Sequence, residues 1–233
     1  MPMNFWGELS NYSEAFSMIQ TEEANFPQML FNSVWYTALN TAMHVFCPTI
    51  TAYVISKYTF VGRNFLYGLS VTILTIPIVG TGGSMLRLVG NLGIYDTPWF
   101  VFFTGLAGFT GTFIIYYGYF RSVSWSYAEA AQIDGANPFV VFFIVMLPQA
   151  KPIMLTYAIT MSISNWGNYT DMLLYLPSYP TVASGLYVAG TAIDRFSGGD
   201  TPVYYAGLLM SAVPAIILFS IFSGKILTSI SLG

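Results

Sequence analysis

The chain has 233 residues, 55% of them hydrophobic and only 7% charged, with a formal net charge of −3. Soluble proteins carry roughly a quarter charged residues, so composition sets aside the one or two soluble domains that length alone would allow. The small net charge and scattered basic residues exclude a nucleic-acid partner, and the single cysteine, Cys47, excludes an internal disulfide and a cysteine-rich metal site.

The composition is that of a membrane protein, and the long apolar spans that follow in chain order make it an all-α one. Residues 1–26 contain Glu8, Glu14, Glu22 and Glu23 and no lysine or arginine. Basic residues collect on the cytoplasmic side, so this stretch reads as an extracytoplasmic segment ahead of a membrane domain over 27–233. Phe5, Trp6 and Tyr12 suit the headgroup layer, with disorder of the first few residues as the alternative. No basic region followed by an apolar core marks a signal peptide in Met1–Gln20.

A first span is predicted over 28–56, followed by Lys57 and Arg63. It exceeds the about 20 residues that cross a hydrocarbon core. Asn32, Ser33, Asn40 and His44 interrupt it, so one side must face other helices or a wet cavity. A second span over 65–88 is broken by Pro77, Gly80, Gly82 and Gly83. A third over 98–120 carries Gly105, Gly108 and Gly111, small residues that let helices approach closely.

The loop 122–148 is the richest in local signals. Ser126 followed by Glu129 fits a capping box that opens a short helix. Asp134-Gly135 supplies a turn, and Asn137 caps a second helix with Pro138 at its first position. Together they predict a helix–turn–helix hairpin.

A fourth span is predicted over 152–176; its outer half, Asn165-Trp166-Gly167-Asn168-Tyr169-Thr170-Asp171, is polar and aromatic. Two readings stand for this segment: contact with a transported solute, or an aromatic belt at the membrane interface. A loop over 177–202 has room for a short helix around Val182–Ala189, and a fifth span over 203–227 bends at Pro214. With residues 1–26 outside, inner segments carry Lys57, Arg63, Arg121, Lys151 and Lys225, and outer ones only Arg87 and Arg195. That bias puts the hairpin and the C-terminus in the cytoplasm.

Glu129-Ala130-Ala131, then Asp134-Gly135-Ala136, then Phe142 and Leu147-Pro148 form a spaced set, preceded by Phe120-Arg121-Ser122. This set resembles the cytoplasmic "EAA" loop in the membrane subunits of binding-protein-dependent ABC importers, and the likeness runs in order from about Leu9 to the end. The nearest group is the carbohydrate-uptake permeases that include the maltose-system inner-membrane permease. Two departures are Ser124, where relatives often carry proline, and Gly167, where sugar permeases often have Trp-Asn.

The resemblance implies a type I ABC importer transmembrane fold in a bacterial-type plasma (inner) membrane, with five spans here and the usual first span missing. It implies a second permease subunit, two ABC ATPase subunits, an extracytoplasmic solute-binding protein and membrane lipid as partners, and no cofactor or metal. Glu129, Ala130, Ala131, Asp134, Gly135, Ala136, Leu147 and Pro148 would couple to the ATPase: the acids through charged contacts, Ala130 and Ala131 by allowing close approach, Gly135 at the turn and Pro148 setting the angle to the next span. Asn165, Trp166, Asn168 and Tyr169 would line a substrate path. Phe196–Asp200 is faintly similar to the ABC ATPase signature, but no phosphate-binding Gly-x-x-x-x-Gly-Lys loop accompanies it, so the chain itself is not expected to hydrolyse ATP.

The alternatives are an ABC permease for a non-sugar substrate, a secondary transporter, an intramembrane enzyme or a membrane scaffold. A secondary transporter needs acids at mid-membrane, and all ten here map to ends or loops, apart from ambiguity at Asp171. An enzyme needs a catalytic cluster that one histidine and one cysteine do not make.

Overall fold

The computed structural model describes residues 5–76, 80–196 and 201–230. Among these, every regular element is a helix: α1 (Phe5–Met18), α2 (Phe26–Lys57), α3 (Arg63–Thr75), α4 (Gly82–Asn91), α5 (Trp99–Gly105), α6 (Gly111–Ser122), α7 (Ser126–Ile133), α8 (Pro138–Val140), a π-helical stretch (Val141–Met146), α9 (Leu147–Trp166), α10 (Thr170–Tyr175), α11 (Val182–Phe196) and α12 (Thr201–Ile230). The described residues fall into two compact units. One comprises 5–40, 80–102, 162–196 and 201–223, the other 41–76, 103–161 and 224–230.

The first span starts where the chain writes a reciprocal cap. Asn25 Oδ1 accepts from Gln28 N at 3.1 Å and Gln28 Oε1 from Asn25 N at 3.0 Å, so two orphan donors are satisfied at once. The helix then runs 32 residues to Lys57, on the order of 48 Å at 1.5 Å per residue, enough to cross a bilayer. Its polar residues meet other helices in the first unit. Ser33 Oγ accepts from Val182 N at 2.9 Å, and Asn32 Nδ2 donates to the Pro180 carbonyl at 3.0 Å.

The segment ahead of α2 is itself folded. Ala15 and Ile19 are buried against Phe26, Met29, Val182, Leu186, Val203 and Ala206, so α1 shares a core with α11 and α12.

The second span is interrupted, as its glycines predict. Helix α3 ends at Thr75, Gly80 takes φ +78°, and α4 begins at Gly82. Pro77, named as part of the break, lies outside the described residues, as do positions 197–200 of the Phe196–Asp200 segment.

The third span departs from the expected single helix. It is two, α5 and α6, separated by residues 106–110 with Thr110 extended at φ −105°, ψ 175°. The glycines do serve close packing: a Cβ on Gly105 would strike the Met43 side chain, and one on Gly108 the Thr51 hydroxyl. The same glycines weaken the helix they would otherwise continue.

The fourth span begins earlier than 152. Residues 138–166 form one continuous helical run of 29 residues that includes the second arm of the hairpin. The π-helical turn sits immediately before Pro148, with Leu147 N bonding back to the Phe142 carbonyl. Proline lacks an N–H, and its ring would press on the Ile144 carbonyl; widening the preceding turn relieves that clash and lets the helix pass through. The span ends at Trp166 rather than 176, and α10 follows as a separate short helix.

Candidate functional site

The hairpin belongs to the second unit and is built by local chemistry at each corner. The predicted cap at Ser126 is displaced. Trp125 already has helical angles (φ −70°, ψ −19°), and the Ser124 hydroxyl accepts from Ser126 N at 3.3 Å, so Ser124 does the capping. Ser126 Oγ pairs with Ser124 Oγ at 2.8 Å.

At the other end of α7, Gly135 N donates to the Gln132 carbonyl at 3.0 Å and Ala136 N to the Ala131 carbonyl at 2.9 Å. This pair of bonds is a Schellman stop, which needs a left-handed residue, and Gly135 supplies φ +85°. The Asn137 side chain then accepts from Val140 N at 2.9 Å with Pro138 at the first helical position, as predicted.

Two of the alanines belong to this stop motif. Ala131 and Ala136 are half-buried and packed on the core formed by Tyr53, Phe113, Tyr116, Phe120, Ala128 and Phe142, giving the apolar contact that accompanies such a stop. Ala131 thus approaches its own core closely, while Ala130 is exposed. Glu129 and Asp134 are exposed, Leu147 and Pro148 half-buried in the helical run. Lys57 Nζ donates to the Val123 carbonyl at 2.5 Å, tying the root of the hairpin to the end of α2.

The feature that sequence reading missed is apolar. Ile133 is 87% exposed, Phe139 76% and Tyr127 56%, all on the hairpin. Beside its second arm lies an almost wholly apolar groove of about 430 Å³, lined by Ile50, Tyr53, Val54, Tyr58, Phe139 and Phe142 among others. In a chain this hydrophobic, no sequence signal separates an outward Ile133 from an inward one.

The second predicted set, in the first unit, divides. Trp166 and Tyr169 border a cavity of about 300 Å³, with Gly167, Tyr187, Tyr204 and Ser211. The Trp166 indole N–H donates to the Ser211 carbonyl at 2.9 Å, and Tyr169 stacks on Tyr187 at 4.4 Å between ring centres and 11° between planes. Asn168 turns elsewhere: its Nδ2 donates to Asp171 Oδ2 at 2.9 Å and to Tyr36 Oη at 3.1 Å, while Tyr36 donates to the same carboxylate at 2.7 Å. Asn165 does not border the cavity; its carbonyl accepts from Asn168 N at 3.2 Å. Among the described residues, no cluster of three or more His, Cys, Asp or Glu side chains could hold a metal.

A helical chain with an exposed, rigidly closed hairpin between two helical runs is the arrangement expected of an importer membrane subunit. A family model described as "Binding-protein-dependent transport system inner membrane component" matches residues 44–228. The chain belongs to that family. This inner-membrane component is a multi-pass plasma-membrane protein and a transporter subunit rather than an enzyme. YurM of Bacillus subtilis, by name an ABC transporter permease protein, is 30% identical over 205 residues, covering 87% of this chain and 67% of YurM. The trehalose transport system permease protein SugB of Mycobacterium tuberculosis is 28% identical over 219 residues, 89% of this chain and 76% of SugB.

Among solved structures, a bacterial ABC transporter involved in import of the acidic polysaccharide alginate superposes with a TM-score of 0.70 at 24% identity, over 92% of this chain and 78% of that one. The likeness establishes the type I ABC importer fold for this inner-membrane component.

Proposed function

We propose that this inner-membrane component is a permease subunit of an ATP-driven importer of sugars or oligosaccharides, and that the hairpin over 122–148 is where the ATPase grips it. Sugar transport by relatives such as SugB supports the substrate class. The partners are a second permease subunit, two ABC ATPase subunits and an extracytoplasmic binding protein. Five crossings, with the C-terminus and hairpin in the cytoplasm, follow from the basic residues that flank the spans.

One observation carries the coupling role: Ile133 and Phe139 are 87% and 76% exposed on a hairpin whose backbone is closed by hydrogen bonds at both corners. Large apolar side chains held rigidly outward mark a docking surface. Glu129 and Asp134 add charged contacts around it. ATPase closure then moves the hairpin as a rigid lever and switches the spans between inward-open and outward-open packings. Trp166 and Tyr169 border the substrate path; Asn165 and Asn168 support it by holding the α9–α10 junction.

The test is sugar-stimulated ATP hydrolysis by the assembled importer in lipid, with wild type against Ile133→Asp. The reading predicts normal membrane insertion and loss of stimulation. Full stimulation in the variant would overturn the coupling role.

A further inference from the structure

We propose that the cavity bordered by Trp166, Tyr169, Tyr187 and Tyr204 is a subsite for one uncharged sugar ring, and that its lining discriminates against uronic acids. The inference rests on the sugar-permease reading and names which sugars that permease passes. It adds residues from α11 and α12 that have no sequence relation to Trp166.

Four aromatic rings converge there, from three separate stretches of chain. Tyr169 and Tyr187 cover one face of each other, and each remains about two-fifths exposed, at 39% and 43%. Among the described residues, the hydroxyls of Tyr169, Tyr187 and Tyr204 make no hydrogen bond, whereas the Trp166 N–H is already committed to Ser211. The cavity therefore offers flat apolar faces together with unengaged phenol O–H groups. A pyranose presents the complement: a face of C–H groups edged by hydroxyls.

Volume and charge narrow the ligand further. At about 300 Å³ the space lies at the lower end of small-ligand pockets, with room for one sugar ring. Among the described residues no lining side chain is charged, and the nearby Asp171 carboxylate is occupied by Tyr36 and Asn168. A uronate carboxylate entering here would lose water and meet no cation among the described residues, which is costly. The depth of the Tyr204 ring is set by Gly190, where a Cβ would come within 2.8 Å of the Tyr204 hydroxyl and 3.1 Å of Cζ.

The experiment uses both permeases with their ATPases in lipid nanodiscs, without the binding protein, so that its selectivity does not intervene. Saturation-transfer NMR reads contact with trehalose, raffinose, maltotriose and digalacturonate. In parallel, each sugar is tested for stimulation of ATP hydrolysis by the complete importer. The expected result is transfer to the ring protons of at least one neutral sugar and none to digalacturonate. Tyr187→Ala and Tyr204→Ala should lose the signal. Tyr187→Phe, which keeps the ring and removes only the hydroxyl, should weaken binding about 5- to 10-fold, in line with one lost hydrogen bond; it also guards against misfolding as the cause.

Equal transfer to digalacturonate would overturn the selectivity. A neutral sugar that stimulates the importer but shows no transfer, or transfer unchanged in both alanine variants, would overturn the subsite while leaving the sugar permease intact. Stimulation by none of the sugars would overturn the permease reading on which the subsite rests.

Discussion

Truncating Ile133 separates docking from folding, because the side chain is 87% exposed and the hairpin does not depend on it for packing. Ile133→Ala removes three carbon groups. At about 0.8 kcal/mol per buried CH₂, full burial by a partner makes the loss about 2.4 kcal/mol, or roughly 50-fold in affinity. The fold itself should change by no more than about 0.5 kcal/mol, as for surface substitutions generally. The assay titrates labelled ATPase onto the permease pair in nanodiscs while following the melting temperature of the pair alone. A 10- to 50-fold weaker ATPase affinity at unchanged melting temperature is expected. The control, Glu129→Gln with Asp134→Asn, removes two exposed charges and should cost about 1 kcal/mol or less, a loss that fades at high salt. If Ile133→Ala leaves affinity untouched while the charge pair abolishes binding, the apolar docking surface is refuted.

Other expectations rest on single geometric facts. Gly135→Pro removes the N–H that bonds Gln132 and forbids φ +85°, so the α7 stop is lost at about 3 kcal/mol or more; the protein should still reach the membrane, and sugar-stimulated ATP hydrolysis should vanish. Gly105→Ala drives a methyl into Met43, an overpacking of about 1–3 kcal/mol, whereas Gly118→Ala meets nothing within 4 Å and should be neutral or stabilise α6 by up to about 1 kcal/mol; thermal melting in detergent distinguishes them. Asp96 holds Ser178 through both carboxylate oxygens, at 2.9 Å to N and 2.6 Å to Oγ, while sitting at φ +53°. Asp96→Ala should therefore destabilise the first unit by about 1–3 kcal/mol, and Asp96→Asn, better tolerated at positive φ, by less.

Turn chemistry was the most legible part of the chain because it is local. Asn137, Pro138 and Gly135 announce their backbone roles within a few residues, and each role is found. The cap was misplaced by two residues because Ser124 and Ser126 offer the same hydroxyl, and only the helical angles of Trp125 decide between them. The packing of Ala131 and Ala136 on their own core was not legible, because hydropathy does not distinguish a small residue facing a partner from one closing a Schellman stop. The break at 106–110 was hidden by uniform hydropathy, and the tie between Asp96 and Ser178 joins positions 82 apart that have no sequence relation. Of the residues around the aromatic cavity in the first unit, Trp166 and Tyr169 stand in one polar and aromatic run of sequence, whereas Tyr187 and Tyr204 reach it only through tertiary packing.

The most direct measurement places a reporter at the hairpin tip. In a Cys47→Ser background, Ile133→Cys should react with a membrane-impermeant maleimide only in inside-out vesicles, and a short bifunctional maleimide should join it to the ATPase subunit in a nucleotide-dependent way. Labelling from the outer face of intact cells, or cross-links to every neighbour except the ATPase, would contradict the account.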